Sequence, residues 1–114
     1  MNLDALSIND VIEIIKNCDD EHIQILPRDK NETFMFANNI TQTDAKEFIR
    51  TLTGNDLKAG PVQDLNPERK HPLWIFKKNG FNQLCYIKVK IINKGKVTIV
   101  VSFHEDENIE NERK

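Results

Sequence analysis

The sequence predicts an α+β domain in which short N-terminal helices pack on a largely antiparallel sheet of about four strands. Three observations predict it. Apolar residues recur at helical spacing in the first half, as Ile8, Val11, Ile12 and Ile15 and again as Ala45, Phe48, Ile49 and Leu52. The last third alternates with period 2, through Cys85, Ile87, Val89 and Ile91 and then Val97, Ile99, Val101 and Phe103. Between those two arms stands Asn93-Lys94-Gly95-Lys96, a turn signal, so the arms read as a β-hairpin.

Ser7 can cap the first helix, with Asp10 at the favourable third position, and the helix should end near Asn17 to Asp19. His22 to Leu26 is a short strand stopped by Pro27. Asn31 to Ala37 is ambiguous by period and reads as a short helix because charged and amide residues surround it. Thr43 is placed to cap the next helix, and Gly54 to close it. From Asn55 to Pro72 no period is visible and Gly60-Pro61, Pro67 and Pro72 intervene, which predicts a long loop. Leu73-Trp74-Ile75-Phe76 is a buried strand, broken by Lys77-Lys78-Asn79-Gly80. The acidic tail from Glu105 to Lys114 is too polar to pack and is expected to be disordered, leaving 1–104 as one domain.

The hairpin is where chemistry collects. A three-residue loop Lys94-Gly95-Lys96, with Gly95 left-handed, would pair Asn93 with Val97. Lys90 then faces Val100, Lys88 faces Ser102 and Tyr86 faces His104. Tyr86, Lys88, Lys90, Ser102 and His104 share one face, and the apolar residues share the other.

With 114 residues, 39% hydrophobic and 30% charged, the chain fits one globular domain. No apolar run approaches the about 18 residues of a membrane span. No basic segment leads an apolar stretch at the N-terminus, and Cys18 and Cys85 lie far apart, so a cytoplasmic protein with reduced thiols is expected. The net charge of −2 hides an asymmetry. Residues 1–63 hold 6 basic against 11 acidic side chains, residues 64–104 hold 8 against 2, and residues 105–114 hold 2 against 5. The segment carrying the hairpin is thus strongly basic, which suits a polyanion such as nucleic acid, or equally a lysine-rich edge that resists aggregation.

Several chemistries lack their residues. His22, His71 and His104 have no tight ligand spacing, so no metal site is expected, and no glycine-rich nucleotide cradle occurs. No cofactor is implied. What remains is metal-free RNA cleavage or plain binding. Cleavage needs a base for the 2′-hydroxyl, cations for the phosphoryl oxygens and an acid for the departing 5′-oxygen. Tyr86, Lys88 and His104 could supply them: His104 for acid–base work, Lys88 for phosphate charge, and Tyr86 for orienting or protonating an oxygen. Arg28, Lys30, Lys58, Lys70, His71 and Lys90 are candidate RNA contacts. The same face could instead be solvated surface, Trp74 and Phe76 core residues, and Cys85 packing. A non-catalytic module that docks RNA or an acidic partner protein is the alternative function.

Short motifs occur in order: Arg28-Asp29-Lys30-Asn31, Leu52-Thr53-x-x-Asp56, Gly60-Pro61 with Asp64, Trp74-Ile75-Phe76, Tyr86-Ile87-Lys88, and Val101-Ser102-Phe103-His104-Glu105. Over residues 8–106 this resembles the motility quorum-sensing regulator (MqsR) type of toxin from bacterial type II toxin–antitoxin systems, particularly its Gram-positive and phage-like branch. The resemblance implies a RelE-like fold and an mRNA endoribonuclease, or mRNA interferase, that needs no metal and is neutralised by a cognate antitoxin. Tyr86 matches the tyrosine of the family's Tyr-[Leu/Ile]-Lys strand, and Lys58 lies within one position of a family lysine. His104 stands where other members place a lysine, and Ile75 replaces a family glutamine. The net acidity also departs from the family's basic habit.

Overall fold

The computed structural model describes residues 6–63 and 71–107. Three helices, α1 (Ile8–Asn17), α2 (Asp29–Ala37) and α3 (Gln42–Arg50), accompany five strands, β1 (Ile23–Ile25), β2 (Leu57–Val62), β3 (Leu73–Gly80), β4 (Gln83–Ile92) and β5 (Val97–Glu105). The fold class is α+β. The sheet order is β1-β5-β4-β3-β2, antiparallel except for β1, which runs parallel to β5 at one edge. The sheet therefore has one strand more than expected, because part of the stretch read as a loop forms β2.

Local chemistry explains the helices. Ser7 and Asp10 form a reciprocal cap on α1, as their spacing predicts. On α3 the same device is built by Thr41 and Asp44, not by Thr43, and the helix ends at Arg50, before Gly54. Val11 and Ile15 of α1, Phe34 and Met35 of α2, and Ala45 and Ile49 of α3 cover one face of the sheet. From the sheet they meet Trp74, Phe76, Cys85, Ile87, Val89, Ile91, Val100 and Phe103. Trp74, Phe76 and Cys85 are thus core residues, and burial pushes the Cys85 thiol up to about 11, so it stays protonated.

Two turns correct the expected strand boundaries. β3 does not break at Lys77 but runs to Gly80, and the chain reverses through Phe81 (φ 53°) and Asn82 (φ 65°) with Gly80 opposite Gln83. Two successive positive φ values make this the hairpin turn whose twist matches the strands. Gly80 is needed for space: a Cβ there would lie 2.3 Å from Cε1 of Phe48. Gly80→Ala is expected to destabilise the domain by about 1–3 kcal/mol. A thermal midpoint equal to that of the parent chain would show that Phe48 moves aside freely.

The β4–β5 turn differs as well. Asn93, Lys94 and Gly95 all have positive φ, and Ile92 rather than Asn93 pairs with Val97. Register is restored by a bulge: Lys88 pairs with Ser102 but Val89 pairs with Val100, leaving Val101 as the extra residue. Tyr86 opposite His104 and Lys88 opposite Ser102 stand as expected, whereas Lys90 faces Ile99 instead of Val100. Beyond the bulge the faces of β5 exchange, so Val100 enters the core in place of Val101.

Asn31 ties α2 to the sheet. Where β1 leaves the edge of β5, the Asn31 amide takes over its pairing. Its Nδ2 donates to Leu26 O (2.9 Å) and Val101 O (3.1 Å), and its Oδ1 accepts from the Phe103 N–H (2.9 Å). Strand-like hydrogen bonding on β5 thus continues through a side chain, and α2 is held against that edge.

The expected domain limit at residue 104 falls short. Glu105 completes β5, Asp106 is buried, and the Asp106 N–H donates to Leu84 O at 2.9 Å. Among the described residues, no helix is long and apolar enough to cross a membrane.

Candidate functional site

The face of the sheet away from the core carries two cross-strand rows. Lys77, Tyr86 and His104 form one, and Ile75, Lys88 and Ser102 the other. Between them runs the opposite-facing row Phe76, Ile87 and Phe103, each fully buried. Close packing beneath fixes the backbone from which the polar groups project.

Tyr86 and His104 stack, with ring centroids 5.3 Å apart and planes 20° from parallel. His104 Nδ1 lies 2.8 Å from Glu105 O. A carbonyl oxygen only accepts, so Nδ1 carries a hydrogen, and in the neutral ring Nε2 holds the free lone pair. Desolvation beside its neighbours raises the Tyr86 pKa; the Lys77 charge acts in the lowering direction and Asp106 in the raising one. The phenol therefore keeps its proton at neutral pH and can donate it.

Tyr86 is the chain's single tyrosine, so phenolate absorbance reports it alone. Its titration midpoint in the folded protein is expected above that of the unfolded chain. The folded state holds the proton more tightly, so this group's contribution to stability is lost as pH rises from the ordinary phenol value through the raised one. Coincident folded and unfolded titration curves would refute a desolvated phenol.

A cleft of ≈ 290 Å³ opens over this pair. Tyr86, Lys88, Ser102 and His104 line it from the sheet, and Arg28 and Lys30 from the start of α2. Asp106 and Glu107 complete the wall. Arg28 is the residue before the first turn of α2, and its Nη1 donates to Val101 O (3.2 Å) and Ser102 Oγ (3.4 Å). The bulge thus exposes a carbonyl that anchors the guanidinium at the cleft. Lys88 has no ion-pair or hydrogen-bond partner among the described residues, so its charge is available to a ligand.

Acidic groups balance the remaining cations. Lys77 Nζ is 3.1 Å from Asp106 Oδ2, in a pair with side chains only 14% and 1% exposed. Lys30 Nζ is 2.6 Å from Glu107 Oε1, which also stands 4.0 Å from His104 Nδ1. The hydrogen bond from Lys30 holds the Glu107 carboxyl below its ordinary range, with the Lys30 and His104 charges adding to it.

The cleft gathers Tyr86, Lys88, His104, Arg28 and Lys30 but not all of the expected contacts. Lys58 is exposed on β2, at the opposite edge of the sheet. Lys90 lies one step further along β4, past the bulge, and His71 precedes β3; neither lines the cleft. Lys70 lies outside the described residues. Three members of the site were not foreseen. Lys77 looked like a strand break, and Asp106 and Glu107 looked like the start of a polar tail. The parity of Lys77 with Ile75 was the available signal, had the turn been placed at Phe81-Asn82.

Potential metal ligands come together elsewhere. Among the described residues, Asp19, Glu21 and His22 place ligand atoms within 4.8 Å of one another, at the turn before β1, and none of them lines the cleft. No family model, no curated protein and no solved structure matches this chain.

Proposed function

We propose that this protein is a toxin-type endoribonuclease that cleaves mRNA in the cytoplasm without a metal and is neutralised by a cognate antitoxin. The observation that carries the reading is the Tyr86–His104 stack lying in one cleft with Lys88 and Arg28. His104 Nε2 takes the proton of the 2′-hydroxyl, and the 2′-oxygen attacks the phosphorus. Lys88 and Arg28 offset the charge that builds on the non-bridging oxygens. As the bond to the 5′-oxygen breaks, Tyr86 orients that oxygen and donates a proton to it. The products are a 2′,3′-cyclic phosphate and a 5′-hydroxyl. The ordered motifs shared with MqsR-type toxins, from Arg28 to Glu105, support the same reading and with it a RelE-like fold.

The purified chain should cleave single-stranded RNA in excess chelator and leave cyclic phosphate ends. Cleavage that requires Mg²⁺ would refute this mechanism. Glu107 occupies cations that a phosphate would use, so Glu107→Gln is expected to tighten RNA binding by about 2–5-fold at low salt. That gain should vanish at high salt, and an equal gain at both would point away from charge.

A second reading rests on a specific observation. Ile75 stands beside Lys88 in the cross-strand row, so an apolar side chain fills a place where a polar group could serve the phosphate. The basic face would then dock RNA, or an acidic partner protein, without cutting it. Salt-sensitive RNA binding with no product under any condition would favour this reading.

A further inference from the structure

A second pocket adjoins the cleft. It has a volume of ≈ 350 Å³ and shares Lys30, His104 and Glu107 with its neighbour as a common wall. Phe34 and Ala37 of α2 give it an apolar side. Phe34 is held there by an edge-on contact with Phe103 at 5.2 Å. The rim holds the carboxylates of Asp29 and Glu105, which only accept, beside the Thr33 hydroxyl, which can accept or donate, and the amide of Asn38. Asn38 is fixed in orientation, since its Nδ2 donates to Phe34 O (2.8 Å) and its Oδ1 accepts from Gln83 Nε2 (3.1 Å).

The two cavities differ in electrostatic character. The cleft carries Arg28, Lys30 and Lys88 against Asp106 and Glu107, whereas this pocket sets Lys30 alone against Asp29, Glu105 and Glu107. An anion is repelled from the second pocket and attracted to the first. A nucleotide has matching halves: a charged phosphate and a flat, uncharged base with hydrogen-bond donors on its edge. We infer that the pocket beside α2 is the subsite for the nucleobase flanking the bound phosphate, and that it takes bases bearing an amino group in preference to uracil. Adenine, cytosine and guanine each offer an exocyclic amine to the carboxylate rim. Uracil has no exocyclic amine: its one edge donor, N3–H, lies between two carbonyl oxygens, and these meet the carboxylates. This inference rests on the cleft being the RNA phosphate site.

Binding can test it apart from catalysis. The probes are short 2′-O-methyl oligonucleotides, which cannot be cleaved, each with one base in an otherwise abasic chain. Fluorescence anisotropy with the full chain should show the adenine, cytosine and guanine probes binding about 10-fold more tightly than the uracil probe. Ala37 is exposed, so Ala37→Trp should fill the pocket without disturbing the core, and Ala37→Ser should leave it open. The tryptophan variant is expected to bind all four probes at the level of the uracil probe, with the salt dependence of binding retained. Equal affinity for all four probes in the parent chain, unchanged in Ala37→Trp, would overturn the base subsite and leave the phosphate cleft standing. Absence of salt-sensitive binding to every probe would overturn both.

Discussion

On the proposed mechanism, replacing His104 with alanine is expected to lower the rate of RNA cleavage by about 10²–10⁴-fold, the usual contribution of a positioned acid or base. His104 supplies the one ring nitrogen in the cleft whose lone pair is left free by its other hydrogen bond, the contact from Nδ1 to Glu105 O at 2.8 Å. The substitution also removes the ring that stacks on Tyr86, so the phenol loses its orientation as well. Tyr86→Phe keeps the ring and deletes only the hydroxyl, and should cost less than His104→Ala while still falling well below the parent rate. The stability effect should be small by comparison, because the core row beneath is untouched and the lost stacking is worth only about 0.5–1.5 kcal/mol. Rates come from single-turnover cleavage of a labelled RNA, and folding from the thermal midpoint of the same samples. Full activity in both variants would place the chemistry away from this pair, and equal loss of folding and activity would make the residues structural.

Asn31→Ala should lower stability by about 2–4 kcal/mol, a large loss for a single polar side chain. The side chain is 1% exposed and makes three hydrogen bonds to backbone groups. Two of its partners retain other donors: Leu26 O accepts from the Arg28 N–H at 2.8 Å, and Val101 O accepts from Arg28 Nη1 at 3.2 Å. The Phe103 N–H is left without the acceptor that Asn31 provides, in a fully buried residue, and an orphaned buried donor costs about 1–3 kcal/mol. Loss of the other two bonds adds the rest. For a domain of this size each kcal/mol lowers the thermal midpoint by about 4–8 °C. Because the amide docks α2 on β5, the variant should also loosen Lys30 relative to His104 and, on the proposed function, weaken RNA binding at temperatures where it is still folded. A midpoint within a degree or two of the parent would show that water replaces the amide at this edge.

Much of the local structure was legible in the residues themselves. The Ser7–Asp10 cap on α1 and the period-2 alternation of β4 depend only on neighbours in sequence, whereas Tyr86 meets His104 because a longer turn than expected and the bulge at Val101 offset one another. On β5 the same reasoning failed between the turn and the bulge. Val101 is an ordinary β-branched residue with nothing local to mark it as extra, yet its insertion exchanges the two faces of β5 and brings Val100 into the core. Phe81-Asn82 carried no glycine to signal a turn, whereas Asn79-Gly80 just before it did, so β3 was cut short at its middle. There Gly80 serves the Phe48 ring rather than the reversal.

By itself the sequence determined the fold class, the stripe of α1 and the core face of β4. These follow from periodicity, which each strand or helix expresses alone. Only the tertiary structure decided that β1 joins β5 in parallel, that Asn31 extends that edge, and that α2 thereby carries Arg28 and Lys30 to Tyr86 and His104. It likewise decided that Asp106 and Glu107 belong to the cleft while Lys58 and Lys90 do not. Residues more than 70 positions apart meet there, such as Lys30 and Glu107. Contacts of that range depend on how whole elements pack and on where one extra residue shifts a strand, and neither leaves a mark in the local pattern of side chains.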